Sequence, residues 1–199
     1  MKKIAVLFIL ILFVSLCCKA KEGLYLTYND FKTGNLLVAD SNSINVSVPG
    51  SPLTCTIKGE KYKYKREEVF GIMHNGTLCK WVGIYMIPLY AYGNCCIWHL
   101  YGVSAEPKSE GVYNFWFVSE NLQGELYILK SYSALQKLVQ KHPKLQSLSD
   151  CTTQKLSEIA DKRWHKVYVN QISPMVERCI NQNPGWIRVK PGEKISVTG

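Results

Sequence analysis

The chain has 199 residues, of which 47% are hydrophobic and 20% charged, and its formal net charge is +9. This composition excludes an intrinsically disordered chain, and the length suits one domain with a core of its own. The positive charge is moderate and is typical of an ordinary soluble surface or of a protein that meets an acidic partner.

The first 20 residues have the pattern of an export signal. Basic residues precede an unbroken apolar run, Ile4–Val14, which is too short to cross a bilayer as a helix. We favour cleavage after Ala20, which releases a chain of 179 residues. Alternatively, Cys17 or Cys18 carries a lipid, and only then do we expect the protein to be attached to a membrane. In both cases the protein works in the periplasm or as a secreted protein, so we expect no nucleic acid as a partner.

The segment from residue 23 to 130 is predicted to form an antiparallel β-sheet. Its short stretches are rich in Val, Ile, Tyr, Trp and Thr, alternate with period two, and are broken by Gly, Asn and Pro. The predicted strands are Gly23–Tyr28, Asn35–Ala39, Ile44–Val48, Leu53–Lys58, Lys61–Lys65, Val69–Met73, Thr77–Val82, Ile84–Tyr90, Cys95–Tyr101, Val112–Val118 and Glu125–Leu129. Lys58–Lys61 and Asn75-Gly76 are typical of tight hairpin turns, and Lys108–Gly111 of a looser one. So many short strands predict a curled sheet that is barrel-like or a sandwich.

Residues 131–183 are predicted to be helical, which makes the fold class α+β. The first helix ends at His142-Pro143, and its apolar face consists of Leu135, Leu138 and Val139. The second is capped by Asp150, and its apolar stripe consists of Leu156, Ile159, Ala160, Trp164 and Val167. The third begins at Ser173-Pro174 and carries Val176, Cys179 and Ile180.

The tail 184–199 is polar and contains two prolines. It is predicted to be loosely held, with Trp186 and Ile187 pinning its beginning. Residues 21–199 together are predicted to form a single domain.

Six cysteines remain after cleavage, and an even number in an exported protein suggests up to three disulfides. They are Cys55, Cys79, Cys95, Cys96, Cys151 and Cys179. Cys151 lies at the start of the second predicted helix and Cys179 within the third, so a helical hairpin brings them together across a separation of 28 residues. For the other four we predict structural disulfides or buried thiols.

The strongest candidate for chemistry is a dense group of zinc-ligand residue types, namely His74, Cys79, Cys95, Cys96 and His99. On a strand, however, neighbouring side chains point to opposite faces, so Cys95 and Cys96 do not readily bind one metal. The sequence contains no motif of a zinc protease, a serine hydrolase or a phosphate-binding loop. We therefore predict no metal, no cofactor and no catalytic residue.

Lys61, Lys63 and Lys65 alternate with tyrosines and are predicted to line one face of a strand. We favour an exposed edge strand whose lysines prevent edge-to-edge pairing. The functional alternative is a cationic strip that contacts an acidic ligand. Loss of three lysines with the signal leaves 21 basic residues against 15 acidic ones, a net charge of +6 that suits an acidic glycan or phospholipid of the envelope.

Several stretches of the mature chain follow one another in a characteristic order: Gly23–Phe31, Gly59–Lys63 leading to Val69–Gly71, and Phe117–Glu125. In this order they resemble a group of small exported proteins of unknown function that is common in Bacteroidota. The resemblance spans about half of the mature chain. It implies a signal peptide, a strand-rich body and a helical end, and it supplies no activity and no site residues.

The leading interpretation is a non-enzymatic envelope or secreted protein, either a binding protein or a structural one. Its expected partner is an envelope component or a secreted protein. The first alternative is an inhibitor or immunity-type protein, which predicts one tight protein partner. The second is a hydrolase of envelope glycan or peptide, which requires converging carboxylates or a Cys–His pair in a concave site.

Overall fold

The computed structural model describes residues 21–46, 50–103, 112–129, 132–152 and 176–195. These residues form an α+β fold that contains a nine-stranded antiparallel sheet and a separate two-stranded hairpin. The predicted fold class is confirmed. Several predictions lie outside the described residues: the export signal with Cys17 and Cys18, the turn Lys108–Gly111, the helical stripe from Leu156 to Val167, and Ser173-Pro174.

The strands, in chain order, are β1 (Gly23–Tyr25), β2 (Leu37–Val38), β3 (Leu53–Ile57), β4 (Glu60–Tyr64), β5 (Gly71–His74), β6 (Thr77–Val82), β7 (Tyr85–Tyr92), β8 (Cys96–Val103), β9 (Val112–Ser119), β10 (Tyr127–Ile128) and β11 (Ile187–Arg188). The helices are α1 (Tyr28–Thr33), α2 (Tyr132–Lys141), α3 (Gln146–Thr152) and α4 (176–182). Short 3-10 turns lie at Arg66–Glu68 and Pro143–Leu145.

The large sheet has the strand order β10-β9-β8-β7-β6-β5-β1-β2, and β11 adds to β7. Consecutive antiparallel pairs connect β5 to β10, and β1 pairs with both β5 and β2. The two outermost strands, β10 and β2, have two residues each and do not pair with each other. The sheet is therefore open, and the barrel-like alternative is wrong in the sense of a closed barrel, since such short strands offer too few hydrogen bonds for closure.

Two tight turns set the register of the hairpins. Asn75 and Gly76 have φ angles of 48° and 73°, and Lys58 and Gly59 have φ angles of 53° and 84°. Left-handed conformation at both central residues is the geometry of a turn whose twist matches that of the flanking strands. Both predicted tight hairpins, β5–β6 and β3–β4, are confirmed.

One face of the large sheet, which we call face A, is covered by two separate segments. The hairpin β3–β4 packs on the part of face A formed by Leu24, Ile72, Cys79 and Trp81. Helices α2, α3 and α4 pack on the part formed by Ala91, Ile97, Trp116 and Val118. Apolar burial of this kind is the main force that holds the layers together.

The opposite face, face B, carries Leu78, Ile87, Leu89 and the fully buried Trp98. It is covered by Phe31 of α1, by Leu122 after β9, and by Val189 and Ile195 near the C-terminal end. Because β9 contributes Trp116 and Val118 to face A and Phe117 to face B, it is buried on both sides, as its aromatic sequence predicts.

Helix α1 replaces the end of the predicted strand Gly23–Tyr28. The Thr27 hydroxyl accepts a hydrogen bond from the Asp30 amide at 3.0 Å, and the Asp30 carboxylate accepts one from the Thr27 amide at 2.9 Å. This reciprocal cap starts the helix, and Gly34 in the left-handed conformation ends it. The spacing Thr27-x-x-Asp30 is the signal in the sequence that points to this helix.

The first and third predicted helices are confirmed as α2 and α4, and Val176, Cys179 and Ile180 are buried on α4. Asp150 is not a cap, because α3 begins at Gln146 and contains it. The helix begins earlier because Leu145 and Leu148 are both fully buried and extend the apolar stripe toward the N-terminus.

The C-terminal segment is held against the sheet. Trp186 and Ile187 fix its beginning, as predicted, whereas the prediction of a loose tail is wrong for residues 188–195. Trp186 is buried under the helices and β11 pairs with the end of β7. The approach is very close: a Cβ atom on Gly93 would lie 2.4 Å from the Gly185 carbonyl oxygen. Further along, the Gly192 amide donates a hydrogen bond to the Gly76 carbonyl at 2.8 Å.

The predicted disulfide between Cys151 and Cys179 is present and connects α3 to α4, with a Cα–Cα distance of 5.2 Å. A disulfide is typical of an oxidising compartment. The helices in the described ranges all lack the combination of length and hydropathy that spanning a membrane requires.

Removal of this disulfide is expected to destabilise the protein. For a separation of 28 residues, the loss of chain entropy in the unfolded state predicts a decrease of about 3.5 kcal/mol in the free energy of unfolding. Urea unfolding of the protein that begins at Lys21, with and without dithiothreitol, measures this decrease. The Cys151→Ala/Cys179→Ala variant is the control and should not respond to dithiothreitol; equal stability of the oxidised and reduced wild type would contradict the prediction.

Candidate functional site

The three lysines selected from the sequence lie on or just after β4. Lys61 and Lys63 pair with Thr56 and Thr54 of β3, and they share the outer face of the hairpin with these residues. The tyrosines between them pair with the buried inner positions of β3, so the predicted alternation is confirmed. Lys65 follows the end of the strand. Within the described residues β4 pairs only with β3, which agrees with an exposed edge strand.

Beside this hairpin is a concave space of about 650 Å³, which we call the hairpin groove. Its lining includes Lys63, Lys65 and Arg66, all exposed cations, but not Lys61. The other lining residues are Gly50, Ser51, Pro52, Glu67, Glu68, Trp81 and Gly83. A volume of this size is in the range of small-molecule sites, which runs from about 300 to 1,000 Å³.

Two local interactions fix the shape of the hairpin groove. The Glu68 carboxylate accepts a hydrogen bond from the Lys65 amide at 2.7 Å, which closes the 3-10 turn that carries Arg66. On the opposite side, the indole N–H of Trp81 donates to the Gly83 carbonyl at 2.7 Å, and the ring itself is buried. Lys65 and Arg66 therefore lie at a preformed turn, Lys63 lies on the adjacent strand β4, and the Trp81 ring forms an apolar floor beside them.

The charges of the hairpin groove favour a small anionic ligand. Three cations stand against the carboxylates of Glu67 and Glu68, and the Glu68 carboxylate already accepts the Lys65 amide. Carboxylate, sulfate and phosphate groups form charge-assisted hydrogen bonds with such cations. Sequence reasoning selected Lys63 and Lys65 through their alternation but missed Arg66, whose role becomes visible only when the turn and β6 are brought together.

Within the described residues the other four cysteines are free thiols, so these six cysteines form one disulfide rather than three. All four are buried. Cys95 belongs to the cluster under the helices and Cys96 to the cluster on face B, so these neighbours lie on opposite faces, as alternation predicts. Cys55 and Cys79 both belong to the cluster beneath the hairpin.

Burial keeps these thiols protonated. Desolvation raises the pKa of Cys79 and of Cys96 to about 12, and it raises the pKa of Cys95 and Cys55 as well. A thiol with a raised pKa is a poor nucleophile, because only the thiolate attacks.

The two histidines of the candidate zinc group, His74 and His99, contact residues outside that group. His74 Nδ1 lies 3.2 Å from the Glu22 carboxylate, and the His99 ring stacks on Trp116 with 3.9 Å between ring centroids. Across the described residues, no three side chains of the His, Cys, Asp and Glu types gather as a metal site would require.

Sequence reasoning also missed a polar cluster under the loop that follows β9. The half-buried Lys80 donates to the Gly124 carbonyl, and its Nζ lies 5.5 Å from the centroid of the Trp98 ring. The Trp98 indole donates to Ser119 Oγ at 2.9 Å, and this hydroxyl donates to the Asn121 carbonyl at 2.8 Å. These bonds fasten the loop to face B, so we assign the cluster a structural role.

Comparisons with known proteins do not add a function to this geometry. No protein-family model matches the chain. Neither the curated proteins nor the solved structures contain a match to it. The resemblance to exported Bacteroidota proteins therefore stays a prediction.

The buried thiols are expected to be unreactive in the folded protein. At pH 8 we expect Cys55, Cys79, Cys95 and Cys96 to react with Ellman's reagent at least about a hundredfold more slowly than glutathione, because the thiolate is scarce and shielded. In guanidinium chloride all four should react at once. One rapidly reacting equivalent in the native protein that begins at Lys21 would contradict this prediction.

Lys80 is expected to make stability depend on pH. Desolvation lowers its pKa from 10.5 to about 8 in the folded protein, so between these values the unfolded chain binds more protons and stability rises with pH. Because the amine is only half-buried, we expect a gain of about 1–2 kcal/mol relative to Lys80→Met between pH 7.5 and pH 10.5.

Urea unfolding of both proteins across this pH range measures the gain as a difference. The difference is needed because the raised pKa of the buried thiols makes the free energy of unfolding fall over the same pH range. Both proteins contain these thiols, so their effect cancels in the difference. A difference in the free energy of unfolding that does not change with pH would refute the assignment to Lys80.

Proposed function

We propose that this is an exported, non-enzymatic binding protein and that the hairpin groove binds an acidic component of the cell envelope. The observation that carries the proposal is the placement of Lys63, Lys65 and Arg66 around one concave space of about 650 Å³. Export is supported by the predicted signal and by the disulfide, which is typical of an oxidising compartment.

The residue types indicate how such a ligand is held. The planar guanidinium of Arg66 suits two parallel hydrogen bonds to a carboxylate or phosphate, whereas the ammonium groups of Lys63 and Lys65 act as mobile point charges. Trp81 provides an apolar floor for the uncharged part of the ligand.

The two carboxylates of the hairpin groove limit how much negative charge the ligand can carry. Glu67 and Glu68 repel a densely charged polyanion that covers the whole groove, because like charges in contact are unfavourable. The ligand we propose therefore carries one or two negative groups on a neutral body, as acidic sugars and phospholipid headgroups do. Lys61 lies outside the groove and keeps the role of protecting the edge of β4.

The proposal is tested by calorimetric titration of the protein that begins at Lys21 with di-galacturonate, which carries two carboxylates, and with its neutral methyl ester at low salt. We expect the acid to bind and the ester to bind at least about tenfold more weakly, since each charge-assisted contact is worth about that factor. Vesicles of phosphatidylglycerol and of phosphatidylcholine form a second arm, which distinguishes a lipid headgroup from a glycan as the source of the anion.

Lys63→Ala/Lys65→Ala/Arg66→Ala is the test variant, and we expect it to weaken binding of the acidic probe about tenfold or more. Lys61→Ala is the matched control, because it removes an exposed lysine of the same strand from outside the groove. Equal affinity of the triple variant and the wild type would contradict the proposal, as would the absence of binding to both acidic probes.

A further inference from the structure

A second concave space lies on the other side of the sheet, on face B. It has a volume of about 420 Å³ and separates α1 from the C-terminal segment. We call it the tail cleft. Its apolar lining consists of Tyr25, Phe31, Met73, Leu78 and Ile195. The hairpin groove contains Trp81 of face A instead, so the two spaces open on opposite faces.

The inner wall of the tail cleft is rigid and apolar. Tyr25, Phe31 and Leu78 have exposed fractions of 7%, 9% and 1%. The rings of Tyr25 and Phe31 meet edge to face with 5.3 Å between their centroids. Because α1 is capped at both ends, Phe31 is held in place by a helix that does not fray easily. An apolar body that enters the cleft therefore meets a preformed surface.

The outer wall is the C-terminal segment, which a turn holds over the sheet. The Glu193 amide donates to the Lys190 carbonyl at 3.0 Å, and the Gly192 amide donates to the Gly76 carbonyl at 2.8 Å. Ile195 follows this turn and packs against the cluster of face B. The cleft is thus closed on this side by residues that are far from α1 in the sequence.

The rim of the tail cleft is polar and carries net positive charge. Lys32, in the last turn of α1, and Lys194 contribute ammonium groups, and Glu193 contributes one carboxylate. Inside, the hydroxyl group of Tyr25 belongs to a side chain that lines the cleft. Burial raises the pKa of Tyr25, so this hydroxyl remains neutral and able to donate.

We propose that the tail cleft binds a small organic acid whose apolar chain or ring packs against Tyr25, Phe31 and Leu78 and whose carboxylate meets Lys32 and Lys194. The volume suits a single small molecule rather than a protein segment, and apolar walls with a few polar groups are typical of such sites. The positive rim selects an acid over an alcohol of the same length. This site does not depend on the proposed function of the hairpin groove.

The experiment is a calorimetric titration of the protein that begins at Lys21 with octanoate, octanol and acetate. We expect one molecule of octanoate to bind per chain. Octanol lacks the carboxylate and acetate lacks the apolar chain, so we expect each to bind at least about tenfold more weakly than octanoate. Lys32→Ala/Lys194→Ala should weaken octanoate about tenfold and leave octanol unchanged. Ile195→Ala should weaken both, because it removes apolar surface.

Lys190→Ala is the matched control, since Lys190 is an exposed lysine of the same segment outside the lining. Lys63→Ala/Lys65→Ala separates this site from the hairpin groove, and neither control should change the affinity for octanoate. Unchanged melting temperatures establish that each variant is folded. Equal binding of octanoate and octanol, unchanged affinity in the Lys32→Ala/Lys194→Ala variant, or no octanoate binding at about 1 mM would overturn the proposal.

Discussion

Strand β7 has hydrogen-bonded partners along both edges, and the covering of both faces depends on it. β8 pairs along one edge, whereas β6 and β11 share the other. At the bulge between Leu89 and Ala91 the register shifts by one residue, so that Tyr90 and Ala91 both face the helices. The Tyr90 hydroxyl donates to the Glu177 carboxylate of α4, and the Arg188 guanidinium of β11 lies 5.1 Å from the centroid of the same ring. One irregular residue thus connects the sheet, the last helix and the last strand.

Both concave spaces arise because no single segment covers a whole face. On face A the hairpin β3–β4 covers one part and the helices another, and the hairpin groove lies at the border of the hairpin. On face B the tail cleft is lined by the short helix α1 and by the C-terminal segment. Polar and charged side chains gather at these borders because burial inside the clusters would cost them their hydration.

Features that depend on residues near each other in the sequence were predicted better than contacts between distant residues. Strand Thr77–Val82 follows from alternation and a clear turn, both of which involve near neighbours. The disulfide joins residues 28 positions apart, but it was predicted from the places of its two cysteines in helices that local patterns indicate. The cap between Thr27 and Asp30 was a local signal too, yet the apolar run before it favoured a strand. Lys80 is different: its acceptor is the carbonyl of a residue 44 positions away, so only the folded chain identifies it as a half-buried, hydrogen-bonded amine. The hairpin groove could be predicted only in part. The alternation of Lys63 with its neighbours is a local signal, whereas the contribution of Trp81 depends on the folded chain.

The disulfide can hold the molecule together when the backbone is cut. Cys151 and Cys179 enclose the chain between α3 and α4, while Trp186 and β11 lie beyond the second cysteine. A protease that cuts between these two cysteines divides the polypeptide into two pieces, but the disulfide keeps the pieces joined. The piece that carries β11 stays joined to the piece that carries β7, so the last strand keeps its place in the sheet even when the backbone is broken. After such a cut the oxidised protein would thus retain its C-terminal strand, whereas in the reduced protein the same cut would free that strand.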